Sequence, residues 1–124
     1  MSAPTPTEIR VRRATERLEV TFDDGSHAAL AGELLRVESP SAAVQGHSPA
    51  QKQIVAGKRG VGIAQVEPIG NYAVRIRFTD GHDTGIYTWA YLHELGRNGD
   101  AMWAAYLQAL DERGLSRDPR PARV

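Results

Sequence analysis

A turn motif of the form Phe-x-Asp-Gly occurs twice in this chain and constrains its fold most. The first copy spans residues 22–25 (Phe-Asp-Asp-Gly) and the second spans residues 78–81 (Phe-Thr-Asp-Gly). Each copy follows a run of alternating apolar residues, over 18–22 and 72–78, which indicates a strand with one buried face. Glycine adopts the positive φ that tight turns need, so each Asp-Gly pair reverses the chain readily. We therefore predict a small antiparallel β-sheet built from two similar hairpins.

The expected register of each hairpin predicts the length of its turn. A two-residue turn in the second hairpin would place Ile86 opposite Arg75, on the polar face. A turn one residue longer, or a bulge, places Ile86 opposite Ile76 on the apolar face. The same reasoning places Leu30 opposite Val20 in the first hairpin. The shared pattern reflects either an ancient duplication or two hairpins under the same constraint.

Short helices and one further strand account for most of the remaining chain. A capping side chain before an apolar-periodic run predicts a helix start, and glycine after the run predicts its end. The predicted elements are a helix over 31–36, a helix from Ser48 to Gly57, a strand over 61–66, a helix from Thr88 to Gly96 and a helix from Asp100 to Gly114. The predicted core comprises Val20, Phe22, Val74, Ile76, Phe78, Ile86, Trp89 and Leu92.

Length and patterning predict one α+β domain with short helices packed on the sheet. The chain has 124 residues, which fits a single domain. We divide it into a flexible N-terminus over 1–14, the main domain over 15–97, a C-terminal helix over 98–115 that packs on the same domain, and a flexible tail over 116–124.

Composition excludes several classes of function. The chain has no cysteine, which rules out disulfides, thiolate metal ligands and a cysteine nucleophile. Fifteen basic residues balance fifteen acidic ones, so no overall field attracts nucleic acid or an anionic membrane. The sequence contains no phosphate-loop motif, no serine in a nucleophile elbow and no apolar run near the roughly 20 residues of a membrane span. We expect a cytoplasmic protein that binds no membrane, and we disfavour nucleic acid as a partner.

One histidine lies in the second Phe-x-Asp-Gly turn. His82 follows Asp80 by two residues and precedes Asp83 directly. Imidazole and carboxylate groups together can hold a divalent metal ion. Aspartate and glycine are also common in turns for reasons of backbone geometry alone, so the spacing leaves both interpretations open.

Basic side chains indicate a candidate partner surface. Arg75 and Arg77 lie on the outer face of the second predicted hairpin, where a strand holds them rigidly. Three further basic residues, Arg36, Lys58 and Arg59, complete the candidate surface. No aromatic residues interleave with the basic clusters and the overall charge is balanced, which favours ordinary solvated charge over contact with nucleic acid.

Three separated segments carry a pattern that β-sheets in general do not share. They span residues 22–25, residues 34–47 with Leu-Leu-Arg-Val-Glu-Ser-Pro-Ser and Gln-Gly-His, and residues 70–92 with Gly-Asn-Tyr-Ala and Asp-Gly-His. Together they resemble the gamma-butyrobetaine hydroxylase-like N-terminal domain family, over residues 15–97. The resemblance implies an α+β domain with an antiparallel sheet, found alone in bacteria and fused to other proteins.

The fusion partners of this family suggest a function. One partner is the iron- and oxoglutarate-dependent hydroxylase of carnitine synthesis, and another is a P-loop ATPase of iron–sulfur cluster assembly. The residues after 97 are too few for a hydroxylase barrel, so the oxygenase activity is not expected here. The resemblance therefore implies a non-catalytic interaction or accessory module linked to metal or iron–sulfur handling. We expect a protein partner, with the iron–sulfur assembly machinery as one candidate, and we leave the oligomeric state open.

The resemblance also bears on metal binding. In the hydroxylases this domain holds zinc through a Cys-x-Cys-x-x-Cys cluster and one histidine. The histidine matches His82, whereas the cysteine positions fall on Ser39, Ser41 and Val44, none of which supplies a thiolate. We therefore assign no cofactor. The alternative is a metal-binding protein or small metalloenzyme, with iron or zinc held by His82 together with Asp83 or His47.

Overall fold

The computed structural model describes residues 4–119 of the chain. They form two three-stranded antiparallel sheets, a few short helices and one long helix, which confirms the α+β fold. The strands are β1 (Pro6–Arg12), β2 (Arg17–Phe22), β3 (His27–Ala31), β4 (Ile63–Ile69), β5 (Ala73–Phe78) and β6 (Ile86–Thr88). The helices are α1 (Gly32–Val37), α2 (Ala42–Gln45), a 3₁₀ helix (Pro49–Gln51) and α3 (Trp89–Glu112). The two hairpins thus lie in two separate sheets rather than in one.

The first sheet has the strand order β1-β2-β3. β1 lies within the segment 1–14, so the prediction that this segment is flexible is wrong for residues 6–12. Its apolar residues, Ile9 and Val11, alternate with charged ones and pack against the core. A charged edge strand resembles a polar linker in sequence, because edge strands carry charges that discourage further pairing.

The second sheet has the strand order β4-β5-β6 and contributes Ile63, Val74, Ile76, Phe78 and Tyr87 to the main hydrophobic cluster. Val74, Ile76 and Phe78 of β5 are all buried on its inner face. Tyr87 of β6 is also fully buried, and its hydroxyl donates a hydrogen bond of 2.5 Å to the carbonyl of Leu35. These inner faces meet the buried residues of β2 in one hydrophobic cluster, as the alternating pattern predicts.

The registers of both hairpins differ from the predicted ones. Leu30 lies opposite Leu18 rather than Val20, and Ile86 lies opposite Arg75 rather than Ile76. Leu30 still reaches the buried face, because the register differs there by two residues. Ile86 does not: its side chain is 43% exposed, and the prediction that it belongs to the core is wrong.

One continuous helix, α3, is present where the sequence predicts two helices, from Thr88 to Gly96 and from Asp100 to Gly114. Thr88 caps α3 as predicted, since its side chain accepts a hydrogen bond from the N–H of Tyr91 at 3.1 Å. The helix then passes through Gly96 without ending there. A Cβ at Gly96 would lie 2.8 Å from the Cβ of Ala28, so this glycine permits close packing of helix on sheet. In the sequence, a glycine that permits close packing cannot be distinguished from a glycine that ends a helix.

The helix predicted from Ser48 to Gly57 is reduced to the 3₁₀ turn at Pro49–Gln51. The side chain of Ser48 makes no capping hydrogen bond, and Gln51 accepts instead from the N–H of His47 at 2.8 Å. The next residues along the chain are irregular, yet their apolar side chains at 54–56 pack against a second small cluster that includes Tyr106. Packing on α3 replaces helix formation in this segment.

The predicted C-terminal tail makes specific contacts over its described part. The carbonyl of Ser116 accepts a hydrogen bond from Gly57 at 2.9 Å, and that of Arg117 accepts one from Arg59 at 2.8 Å. The rest of the predicted tail, from residue 120 onward, lies outside the described residues.

Candidate functional site

The two Phe-x-Asp-Gly turns have the same backbone geometry. In each, the phenylalanine N–H donates to a carbonyl four residues later, from Phe22 to Ser26 at 2.9 Å and from Phe78 to His82 at 2.9 Å. The glycine N–H donates a hydrogen bond to the phenylalanine carbonyl, and the glycine φ is positive in both turns. Each is therefore a three-residue loop that begins directly after the phenylalanine. Both loops start one residue earlier than the predicted registers require. In the first hairpin this alone accounts for the observed pairing of Leu18 with Leu30, whereas the second hairpin adds a one-residue shift between its turn and β6.

The second turn continues into a segment that docks on the loop between α1 and α2. His82 Nε2 lies 2.9 Å from Ser39 Oγ, and Thr84 Oγ1 lies 2.7 Å from Ser41 Oγ. A Cβ at Gly85 would lie 2.5 Å from Ser39 Oγ, so only glycine allows this close approach. We call these five residues, 39, 41, 82, 84 and 85, the hydroxyl–imidazole latch.

A partly buried ion cluster lies beside the latch. Asp80 Oδ2 accepts hydrogen bonds from Arg36 Nε at 2.8 Å and from Lys58 Nζ at 2.7 Å. Burial opposes ionisation of this carboxyl, but the Lys58 contact, the backbone N–H of His82 and Arg36 outweigh it and lower the pKa of Asp80 to about 2. The Arg36 side chain is only 11% exposed, and its Nη1 is buried without a partner among the described residues.

Ser39 and His82 have the spacing of a nucleophile and its base, but the Ser39 hydroxyl is not accessible to a substrate. Burial, and then the charge of Arg36, lower the pKa of His82 below its ordinary value, so the imidazole is neutral at pH 7. Ser39 is fully buried, and its Oγ also accepts from the N–H of Ser41. A substrate cannot reach a hydroxyl enclosed in this way. The pair therefore serves to dock the loop.

The proposed metal ligands are not assembled by this geometry. His82 faces Ser39, whereas Asp83 lines a shallow recess with Arg75 and Arg77. His47 is exposed on the loop before the 3₁₀ helix. Residues 4–119 contain no group of three or more His, Asp or Glu side chains that could hold a metal ion.

The zinc that the resemblance implies does not fit the residues present. The latch offers two neutral hydroxyls, Ser39 and Ser41, in place of thiolates, and Val44 is a buried apolar side chain. The hydroxyls are already hydrogen-bonded to His82 and Thr84, which leaves no donor set of the kind that structural zinc requires.

The candidate basic surface divides into three places. Arg36 and Lys58 are held by Asp80. Arg59 pairs with Asp118 at the surface. The outer face of the second sheet carries the remaining two, where Arg75 pairs with Glu67 at 2.8 Å and Arg77 lies opposite Gln65. These five side chains therefore do not share one face.

The structure reveals interacting residues that the sequence analysis missed. Thr84 joins the latch because residues 83–85 leave the strand, and the sequence signal for this is the single glycine at 85. Glu33, Trp103 and Arg117 also come together, although 84 residues separate Glu33 from Arg117. Contacts across such distances have no local sequence signal.

Solved structures of similar proteins share this fold. One NMR solution structure is 41% identical with a TM-score of 0.84, and the match covers 99% of this chain and 97% of that chain. A second NMR solution structure is 41% identical with a TM-score of 0.82, covering 99% of this chain and 92% of that chain. A crystal structure of a protein of unknown function from Acidithiobacillus ferrooxidans, of the DUF971 family, is 43% identical with a TM-score of 0.63; it covers 74% of this chain and 92% of that chain. No curated protein matches the chain at a significant level.

These features define a small α+β domain in which two antiparallel sheets pack with one long helix. None of the helices within residues 4–119 is long and apolar enough to cross a membrane. A family model described as gamma-butyrobetaine hydroxylase-like, N-terminal, matches residues 9–93. The chain belongs to this family, and the resemblance drawn from its sequence motifs is confirmed.

Proposed function

We propose that this protein is a non-catalytic cytoplasmic interaction module that binds a protein partner through the outer face of its second sheet. We call this surface the outer face and define it by Gln65, Glu67, Arg75, Arg77, Asp83 and Ile86. The observation that carries the proposal is the position of Ile86, an apolar side chain 43% exposed within a charged, strand-borne surface.

The chemistry of the outer face suits a polar protein surface with one apolar contact. Two arginines are balanced by Glu67 and Asp83, so the face attracts no polyanion in particular. Arg77 has no ion pair among the described residues and can receive a carboxylate from a partner. Ile86 supplies apolar surface that a partner can bury.

Rigidity supports the same proposal. Arg75 and Arg77 alternate with the buried Val74 and Ile76, so the fold fixes the direction in which both arginines point. A surface that is ordered before binding loses little conformational entropy on association. The link to iron–sulfur assembly rests on the family resemblance alone and is part of the proposal.

Position-specific photocrosslinking tests this function. Ile86 is replaced by the photoreactive residue benzoylphenylalanine, and the same residue at Leu107, on α3 and 38% exposed, serves as the matched control. We expect a discrete crosslinked protein from position 86 in cells, absent from position 107, whose yield falls when R77E is added. Equal crosslinking at both positions, or a yield that R77E leaves unchanged, would contradict the proposal.

The alternative function, a metal-binding protein centred on His82, makes a different prediction. It requires stoichiometric iron or zinc in untagged protein, lost in His82→Ala, and a melting temperature that rises when the metal is added. We expect no such rise for the native chain, because the imidazole is already hydrogen-bonded to Ser39 and belongs to no group of three possible metal ligands within residues 4–119. A stoichiometric metal that depends on His82 would favour the alternative.

A further inference from the structure

Arg117, which is not part of the outer face, is held by a complete recognition site for a guanidinium group. Its Nε and Nη2 donate to the two carboxylate oxygens of Glu33 at 2.8 and 2.7 Å, in the two-bond geometry typical of arginine recognition. Its Cζ also lies 5.0 Å from the ring centroid of Trp103. The Glu33 side chain is only 9% exposed, so this carboxylate is poorly solvated without a cation.

Apart from the Arg117 side chain itself, the described part of the segment that supplies it, residues 116–119, is held by few contacts. It is joined to the irregular segment before β4 by two backbone hydrogen bonds, from Gly57 to Ser116 and from Arg59 to Arg117. One exposed ion pair, between Arg59 and Asp118, adds to them. Segments with so few buried contacts open locally at much smaller free energies than a core strand does.

A groove continues from this site along the free edge of β3. It has a volume of about 420 Å³ and runs between β3 and α3, with Gly96 and Gly99 on its helical wall. The pair Phe22 and Ser26 is hydrogen-bonded, so alternation along the ladder directs the N–H and C=O of Ala29 away from β2. β3 is an edge strand in the described part of the chain, and these groups are available to another strand.

We propose that this groove binds an extended, arginine-bearing peptide, which adds a strand to β3 and places its guanidinium between Glu33 and Trp103. Arg117 then acts as an internal ligand that occupies the arginine site until the peptide displaces it. The charge of Glu33 and the aromatic face of Trp103 select arginine, and the free edge of β3 selects an extended backbone. This proposal is independent of the outer face.

Peptide binding to an Arg117→Ala variant tests the proposal. The probe is a fluorescein-labelled peptide, Thr-Val-Thr-Arg-Val-Thr-Val, and its binding is followed by fluorescence anisotropy. We expect R117A to bind at least about tenfold more tightly than the wild type, because the competing internal ligand is gone. Arg113→Ala, which removes an exposed arginine at the end of α3, is the matched control and should bind like the wild type.

Three further measurements separate recognition from non-specific binding. A peptide with lysine in place of arginine, and one with N-methylated backbone at alternate residues, should each bind R117A at least about tenfold more weakly. The double variant E33Q/R117A should lose binding. Binding that E33Q leaves unchanged would overturn the proposal, as would a folded R117A that binds no peptide at about 1 mM.

A variant that does not fold still leaves a decisive measurement. The wild type is then titrated with the same peptide to about 1 mM, and the indole N–H resonance of Trp103 is followed by NMR. A saturable shift, absent with the lysine peptide, supports displacement of Arg117. No shift shows that Arg117 is a permanent structural contact and overturns the proposal.

Discussion

The two Phe-x-Asp-Gly loops share one turn and differ in the segment that comes after it. After the first loop the chain enters β3 at once, and the ladder keeps the register that the turn sets, with Leu18 opposite Leu30. After the second loop, a continuation of the turn's register would pair Arg75 with Gly85, yet Arg75 pairs with Ile86. A one-residue shift between the turn and β6 therefore reverses which side chains face the core.

This shift gives the second hairpin its particular surface. It turns Tyr87 inward, where it is fully buried, and leaves Ile86 on the outer face. The displaced residues do not remain free, because Thr84 and Gly85 dock on the loop of Ser39 and Ser41. One turn motif thus supports both a plain hairpin and a hairpin with an added docking loop.

The loop aspartates, Asp24 and Asp80, also differ in the side chains that they hold. In each loop one carboxylate oxygen accepts the backbone N–H two residues on, from Ser26 to Asp24 and from His82 to Asp80. The other oxygen of Asp24 contacts His93 of α3 at 3.0 Å, and the Asp24 side chain is 39% exposed. The other oxygen of Asp80 holds a mostly buried arginine and a lysine. The first loop is therefore attached loosely and the second firmly.

Truncation of the loop phenylalanines should give the largest loss of stability. Phe22 and Phe78 are both at most 3% exposed and close their turns in the same way. We expect Phe22→Ala and Phe78→Ala each to lower the free energy of unfolding by about 3–5 kcal/mol, through lost burial and a cavity. Urea denaturation measures both. Losses that differ by more than about 2 kcal/mol would show that the turns are not equivalent parts of the core.

Removal of the charge from each loop aspartate should lower stability much more in the second loop than in the first. Asparagine keeps an oxygen for the turn N–H, so Asp80→Asn mainly deprives Arg36 and Lys58 of their anion. We expect it to cost about 2–3 kcal/mol of unfolding free energy, because Arg36 stays buried without a counter-charge. The matched variant Asp24→Asn, at an exposed pair, should change stability little. Equal losses from the two variants would contradict the proposed difference in attachment.

The sequence predicts the parts of both hairpins that depend on local pattern. The alternation in β2 and β5 identifies the buried residues Val20, Phe22 and Val74 correctly, and the Asp-Gly pairs identify both reversals. The register after the second turn is not predictable in this way, because it depends on how Thr84 and Gly85 pack against Ser41 and Ser39, which a distant loop supplies. The ion pairs of Asp80 also join separate segments, since Arg36 lies 44 positions away and Lys58 lies 22 positions away.

The same limit applies to the candidate sites. The charges of Arg75 and Arg77 are predictable on one face, because strand periodicity alone determines their direction. His82 is also predictable as a residue of the turn, but the direction of its imidazole depends on Ser39, which a different loop supplies. Local pattern thus identifies which residues carry chemistry, and tertiary packing decides which of them meet.

A methyl group at Gly85 should test whether the docking loop stabilises the second hairpin. The added Cβ would lie 2.5 Å from Ser39 Oγ and 3.1 Å from the Tyr87 ring, so the loop must move or strain. We expect Gly85→Ala to cost about 1–2 kcal/mol in thermal or urea unfolding. Gly99→Ala is the control inside α3, where the nearest atom is 3.5 Å away, and it should be neutral or slightly stabilising. A neutral Gly85→Ala would show that the latch is loosely packed.

The smallest effect concerns pH and again distinguishes the two loops. The folded pKa of Asp80, about 2, lies below the ordinary value of 3.8, so the stability it contributes is complete above about pH 4 and is lost as the pH falls towards 2. We expect a loss of about 1–2 kcal/mol over that range, reduced from the full shift because solvent partly screens the group. His82, whose pKa is also lowered, adds a loss of the same sign below its ordinary pKa of 6.5. Unfolding curves from pH 7 to 2 for the wild type, Asp80→Asn and Asp24→Asn measure this. Hydrogen bonds from Ser26 also lower the pKa of Asp24, but this carboxylate is exposed. Asp80→Asn should therefore flatten the part of the profile below pH 4 more than Asp24→Asn does. A flattening of equal size in both variants would assign the acid sensitivity to the turn geometry that the two loops share rather than to the ion cluster at Asp80.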